Sequence, residues 1–249
     1  MSLGSYLGMK MAQAKFIFRL IPLMILVLGL FLVIYFKLYH YLSFEALQQH
    51  RDLLLKWANQ HYFITALSFC FIYIIAVAIS IPGAVFLTLA GGFLFGLVWG
   101  TVYVVFSATI GATLLFLAIN TSFGHWLRTR ANEWVKKMEA GFKRNAFHYL
   151  LTLRLIPLFP FWLVNIVPAL LNVPLRTFVT ATFLGIIPGA FVYISVGHGL
   201  NRLFATGKKP ELGIIFSPDI LLPLIGLAVL SLLPVAYNHL KDKQHAKKP

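Results

Sequence analysis

Long apolar runs, broken at a few points by proline, glycine and lone charges, set the pattern of this chain. Leu20–Phe36 is apolar and, with its flanks, long enough to cross a bilayer. The bulky Lys37-Leu38-Tyr39-His40 follows it with no small-x-small cleavage site, which predicts an uncleaved anchor rather than a signal peptide. From Ser43 to about Ala58, Leu47, Leu54, Leu55 and Ala58 share a face opposite Gln48, Arg51 and Asp52, so a surface helix capped by Ser43 is expected. Residues 62–120 carry no charged side chain. Ser80-Ile81-Pro82-Gly83 interrupts them, which predicts a helix over 62–80, a break, a short return arm over 84–95 and a full span over 98–120. Gly92, Gly96 and Gly100 recur every four residues and would line one face of any helix they occupy, as would Ser107 and Gly111.

The second half repeats the pattern with charges added. Residues 123–144 are amphipathic, with Leu127, Ala131, Trp134, Val135, Met138 and Phe142 opposite Arg128, Arg130, Lys136, Lys137, Lys143 and Arg144. This predicts a basic helix on the membrane surface, with a plain solvated connector as the alternative. In the next apolar run Arg154 lies three residues before Pro157, with Pro160, Pro168 and Pro174 close behind. A charge at membrane depth tends to mark function, and broken backbone survives there only when sheltered by protein or lining a wet cavity. A re-entrant element over 147–170 is therefore expected, then a span over 175–196 containing Gly185 and Gly189, and a loop over 199–217. Ser217-Pro218-Asp219 starts a last span ending near Tyr237, before a basic tail.

Composition narrows the class. The chain has 249 residues, 59% hydrophobic and 11% charged, with a mean hydropathy of +0.83. Soluble domains carry about 25% charged residues, so this is an all-α polytopic membrane protein. Three segments follow: an anchor and interfacial helix over 1–60, a core over 61–198, and a loop, span and tail over 199–249. The formal net charge of +14 sits mostly in short loops and tails, and so points to membrane orientation and anionic head groups rather than nucleic acid. The single cysteine, Cys70, excludes an internal disulfide and any multi-cysteine metal site.

With the N-terminus in the cytoplasm, one hairpin over 62–95 dipping in from outside and another over 147–170 from inside place three groups of basic residues on the cytoplasmic face. These are Lys10, Lys15 and Arg19, the six of 128–144, and the four lysines of the tail. Ser80-Ile81-Pro82 and Leu155-Ile156-Pro157 then open equivalent breaks in two opposed halves, an inverted repeat of the kind transporters use.

At Ile81-Pro82-Gly83 with Ala90-Gly91-Gly92-Phe93-Leu94-Phe95-Gly96, at Arg154-Leu155-Ile156-Pro157-Leu158-Phe159-Pro160 with Asn165, and at Gly185-Ile186-Ile187-Pro188-Gly189 with Phe191-Val192-Tyr193 and Gly197, the chain resembles the DedA superfamily. The likeness is to its branch of VTT-domain, or SNARE-associated Golgi, proteins, and runs from about Ile79 to Gly197. It implies a helical bundle holding two opposed re-entrant hairpins, and movement of lipids between leaflets: phospholipid scrambling in eukaryotic members, recycling of undecaprenyl phosphate in some bacterial ones. The motif residues it carries over as substrate-binding are Pro82, Gly83, Arg154, Pro157, Pro160 and Asn165. One departure stands out: several DedA members have an acid four positions before the first hairpin proline, where this chain has Ala78, and no Asp or Glu occurs from 53 to 132. That argues against proton coupling through a carboxylate in the first hairpin.

Arg154 is the main candidate for chemistry. No carboxylate in the spans is available to it, so its expected partners are freed carbonyls, Asn165, water or a substrate anion, and a lipid phosphate fits its fork of donors. A purely structural cap is the competing reading. His148 and His198 are expected as interfacial hydrogen-bonding residues, and Arg176 at a span entrance facing head groups. No enzyme signature is present: Ser195-Val196-Gly197 follows Tyr193 where G-x-S-x-G needs glycine, and neither HExxH nor a P-loop occurs. The expectation is a plasma-membrane, multi-pass lipid flippase or scramblase-like transporter without cofactor, metal or catalysis, whose partners are membrane lipids. Self-association into a homo-oligomer is compatible with this. A small-anion transporter and a non-transporting scaffold remain as alternatives.

Overall fold

The computed structural model describes residues 20–37, 43–81, 84–130, 145–156 and 159–205, with isolated positions between 218 and 232. The expected basic surface helix lies largely outside these residues, as do most of the last span, the tail, Pro82, Gly83 and Pro157. Among the described residues all regular structure is helical. The first helix, α1, is the apolar Leu20–Tyr35.

The surface helix predicted over 43–58 is present in two pieces, α2 (Phe44–Gln49) and α3 (Arg51–Gln60), broken at His50. Ser43 caps it as its position suggests: the Ala46 amide donates to its Oγ at 3.1 Å, satisfying one of the amides every helix start leaves unpaired. At His61 the chain turns by 118° into α4 (Tyr62–Ala78). Helix α4 stops where Ser80 takes a positive φ of 54°, two residues before the sequence's Pro82.

Helix α5 (Ala84–Arg130) is apolar from Ala84 to Ser122, which as one straight rod would be about 58 Å long, nearly twice a hydrocarbon core of ~30 Å. Gly96 resolves the mismatch. Its φ of 75° and ψ of −172° are open to glycine and strained for other residues, and they divide α5 into arms over 84–95 (α5a) and 97–130 (α5b). The arms double back on each other. A Cβ on Gly91 would stand 3.2 Å from a methyl of Val104, although a straight helix would separate these residues by about 20 Å. The Phe95 and Tyr103 rings meet edge to face at 5.2 Å. Gly96 is the turn between the arm expected over 84–95 and the span expected over 98–120, and Gly92 and Gly100 sit on facing arms, where a Cβ on Gly100 would come 2.8 Å from the Gly91 carbonyl oxygen.

After 145 the chain forms α6 (Ala146–Leu155), a break, α7 (Phe161–Leu170) and α8 (Leu175–Ala205). Helix α8 continues into the stretch expected to be loop from 199. The reason is visible at Gly197, which ends nothing: it is buried where a Cβ would overlap the Leu89 carbonyl, so it serves packing within a continuing helix.

The two hairpins enter from opposite ends of α5b. Tyr62, at the start of α4, bonds Tyr103 near the start of α5b at 3.3 Å, and the α4 carbonyl of Ile74 would meet a Cβ on Gly111 further along. The Asn120 amide, near the far end, donates to the Ala169 carbonyl at 3.1 Å and to the Asn172 side chain at 3.2 Å. The halves interlock. Return arm α5a lies against α8 of the second half through Gly92 and Ile194, and return arm α7 lies against α5b of the first half. Stacked Phe116 and Phe178, 4.4 Å between centroids, tie α5b to α8 within the core.

Candidate functional site

Every core element contributes to one cavity of about 300 Å³ where the hairpins meet. The first half supplies Tyr73, Val77, Thr88 and Ala108 among others, and the second supplies Arg154, Phe161, Gly189 and Tyr193. Most of the wall is apolar, so its few polar groups decide what it accepts.

Arg154 belongs to the last turn of α6, where the helix ends before the break. Its Nη2 donates to Asn165 Oδ1 on α7 at 2.5 Å and to Thr182 Oγ1 on α8 at 3.0 Å. Asn165 and Thr182 are fully buried. The guanidinium carbon lies 5.0 Å from the Phe161 ring centre and 5.6 Å from that of Phe178, within cation–π reach. Gly185 makes room for it, since a Cβ there would overlap Arg154 Cβ. Arg154 therefore joins both arms of the second hairpin to α8.

This does not exhaust it. A guanidinium has five N–H donors, and Nη2 uses only its own. Arg154 Nε and Nη1 are buried without a partner, and so is Asn165 Nδ2, whose orientation is fixed because Oδ1 accepts from Arg154. Each buried unpaired donor costs about 1–3 kcal/mol. The leftover groups are all donors, two of them on a cation, and such a set is complementary to an oxyanion. Across the cavity, Tyr73 and Thr88 share a hydrogen bond of 2.9 Å between α4 and α5a.

Of the residues singled out from sequence, Arg154 and Asn165 are brought together. Pro160 is exposed at the start of α7, with its carbonyl accepting from the Leu163 amide at 3.0 Å, and lies outside the cavity lining. Pro82, Gly83 and Pro157 fall outside the described residues. His198 is exposed, close to where a Cβ on Gly96 would stand, and Arg176 is exposed at the start of α8. Sequence reasoning missed Thr182, Tyr73 and Thr88. For Thr182 a signal existed: it stands three residues before Gly185 and seven before Gly189, on one helical face with both.

A family model for the VTT domain matches residues 81–199, a stretch that holds Thr88, Arg154, Asn165, Thr182 and Tyr193 but not Tyr73. The protein called Transmembrane protein 41 homolog in Dictyostelium discoideum is 33% identical over 195 residues, which cover 77% of this chain and 57% of that protein. Transmembrane protein 41B of Homo sapiens is 31% identical over 193 residues, covering 76% of this chain and 64% of its own length. The Caenorhabditis elegans Transmembrane protein 41 homolog is 29% identical over 197 residues, covering 78% of this chain and 77% of its own. This chain thus spans less than two thirds of the Dictyostelium and human proteins. No solved structure matches it.

Proposed function

We propose that this chain, which belongs to the VTT-domain family of multi-pass membrane proteins, moves phosphate-bearing lipids between leaflets, with Arg154 contacting the phosphate. The observation carrying this reading is that Arg154, which lines a cavity built by both hairpins, keeps its Nε and Nη1 unsatisfied. A residue serving only to staple the hairpin would need just the Nη2 bonds. At about 300 Å³ the cavity is at the small end of ligand pockets, enough for a head group while acyl chains stay in lipid. In this reading the hairpins are re-entrant from opposite faces of a plasma membrane, with both termini cytoplasmic, and no bond of the substrate is broken.

The test is reconstitution into vesicles carrying fluorescent phospholipid or a labelled polyprenyl phosphate. Wild type is expected to equalise the leaflets, and Arg154→Ala to lose about 100-fold in rate while still inserting, as expected for two charge-assisted bonds of ~1.5 kcal/mol each. An unchanged leaflet distribution with wild type would refute the proposal. A small oxyanion is the second reading, since the same donors suit any such group, and flux of labelled phosphate or sulfate without lipid movement would establish it instead. Cysteine accessibility across both hairpins, on a Cys70-free background, tests the opposed entry.

A further inference from the structure

The polar group facing the cavity from the first hairpin has a defined hydrogen-bond polarity. Thr88 Oγ1 donates back to the Ala84 carbonyl at 3.3 Å, as threonines in helices do four residues back. A hydroxyl has one proton, so with both bonds made at once we assign the 2.9 Å contact between Tyr73 and Thr88 to the Tyr73 proton. The Tyr73 phenol oxygen then keeps its own lone pairs. Tyr73 and Thr88 are almost wholly buried and both line the cavity. The first hairpin therefore offers an acceptor, while the second offers the unpaired donors of Arg154.

We propose that Tyr73 is a specificity-determining residue that accepts a hydrogen bond from the head-group substituent beyond the phosphate, so that the cavity favours lipids whose head carries an N–H or O–H donor. This rests on the reading of the cavity as a lipid phosphate site. Ethanolamine and glycerol heads satisfy it, whereas the trimethylammonium of choline has no proton to give and would leave the Tyr73 oxygen unpaired. Sites built to bond a substrate OH or NH reject the analogue that lacks it. One such bond corresponds to about 3- to 10-fold for the neutral hydroxyl of a glycerol head, and to about 10-fold or more for the charged ammonium of ethanolamine. Arg154 meanwhile serves every phospholipid alike.

The full chain is reconstituted, and acyl-labelled phosphatidylethanolamine, phosphatidylglycerol and phosphatidylcholine are followed in parallel. In wild type the glycerol lipid is expected to move about 3- to 10-fold faster than the choline lipid, and the ethanolamine lipid about 10-fold or more faster. In Tyr73→Phe both ratios should fall to near one, and in Thr88→Val they should fall partway. Equal rates for the three lipids in wild type, still lost in Arg154→Ala, would overturn this inference alone. Ratios unchanged in Tyr73→Phe would also overturn it, assigning Tyr73 a packing role. Wild type moving none of the lipids would overturn it together with the reading beneath it. A measurement needing no variant stands beside these: lysophosphatidylethanolamine should raise the thermal midpoint of detergent-solubilised wild type more than lysophosphatidylcholine, and equal shifts count against the proposal.

Discussion

The first hairpin is held mainly by shape and the second by hydrogen bonds to a charge. In the first, Gly91, Gly92, Gly100 and Gly111 sit where a methyl group would strike a neighbour, and no charged residue occurs from 62 to 120. In the second, one guanidinium spans Asn165 and Thr182, and the closest glycine, Gly185, is small so that Arg154 fits. Close backbone approach gives rigidity without polarity and suits a wall. A buried cation with unused donors gives polarity and suits a contact. The repeat supplies the same trace twice, and the charge is placed on one copy.

Four substitutions probe this division, from the largest effect downward. Gly92→Ala would drive a methyl group into the Ile194 carbonyl, backbone that cannot swing aside, and is expected to destabilise by about 3 kcal/mol. Thermal unfolding in detergent reads this, and an unchanged midpoint would show that α5a is not held by its fit on α8. Asn165→Ala removes the 2.5 Å acceptor of Arg154 and should destabilise by about 1.5–3 kcal/mol, as the loss of a charged hydrogen bond does. If that variant unfolds at the wild-type midpoint, the second hairpin too is held by packing. Arg154→Lys keeps the charge and loses the fork. A roughly 10-fold slower lipid flux is expected, and wild-type flux would reduce the site to a point charge. Gly199→Ala has open space around it, and should instead stabilise α8 by up to about 1 kcal/mol. A falling midpoint there would mean that α8 contacts something beyond the described residues.

Much of this was legible in the sequence because the punctuation is chemical. Ser80-Ile81-Pro82-Gly83 announced a break since proline and glycine oppose a continuing helix, and Arg154 stood out because charge is rare in such a run. Gly96 falls between the arm expected over 84–95 and the span expected over 98–120, and its φ of 75° makes it the turn that joins them. Gly197 was harder, because a turn glycine and a packing glycine are the same residue, and this packing glycine stands near the expected end of a span. Thr182, Tyr73 and Thr88 were not legible as site residues, because hydroxyls in apolar helices commonly bond their own backbone, as Thr109 does to the Val105 carbonyl at 2.7 Å. Only the return of the chain brings positions 73 and 88, or 154, 165 and 182, within bonding distance.

The seat of Gly92 on Ile194 also bears on how the protein is made. About a hundred residues separate these positions, and at ~5–20 residues per second the first hairpin waits on the order of 5–20 s for the helix that covers it. Throughout that interval the face of α5a that seats on α8 has only lipid, or the insertion machinery, for company. A nascent chain cut after Val173 is expected to be cleared by membrane proteases faster than the full chain, as pulse-chase would show. Biogenesis, rather than the finished bundle, is then the stage at which this fold is most exposed to error.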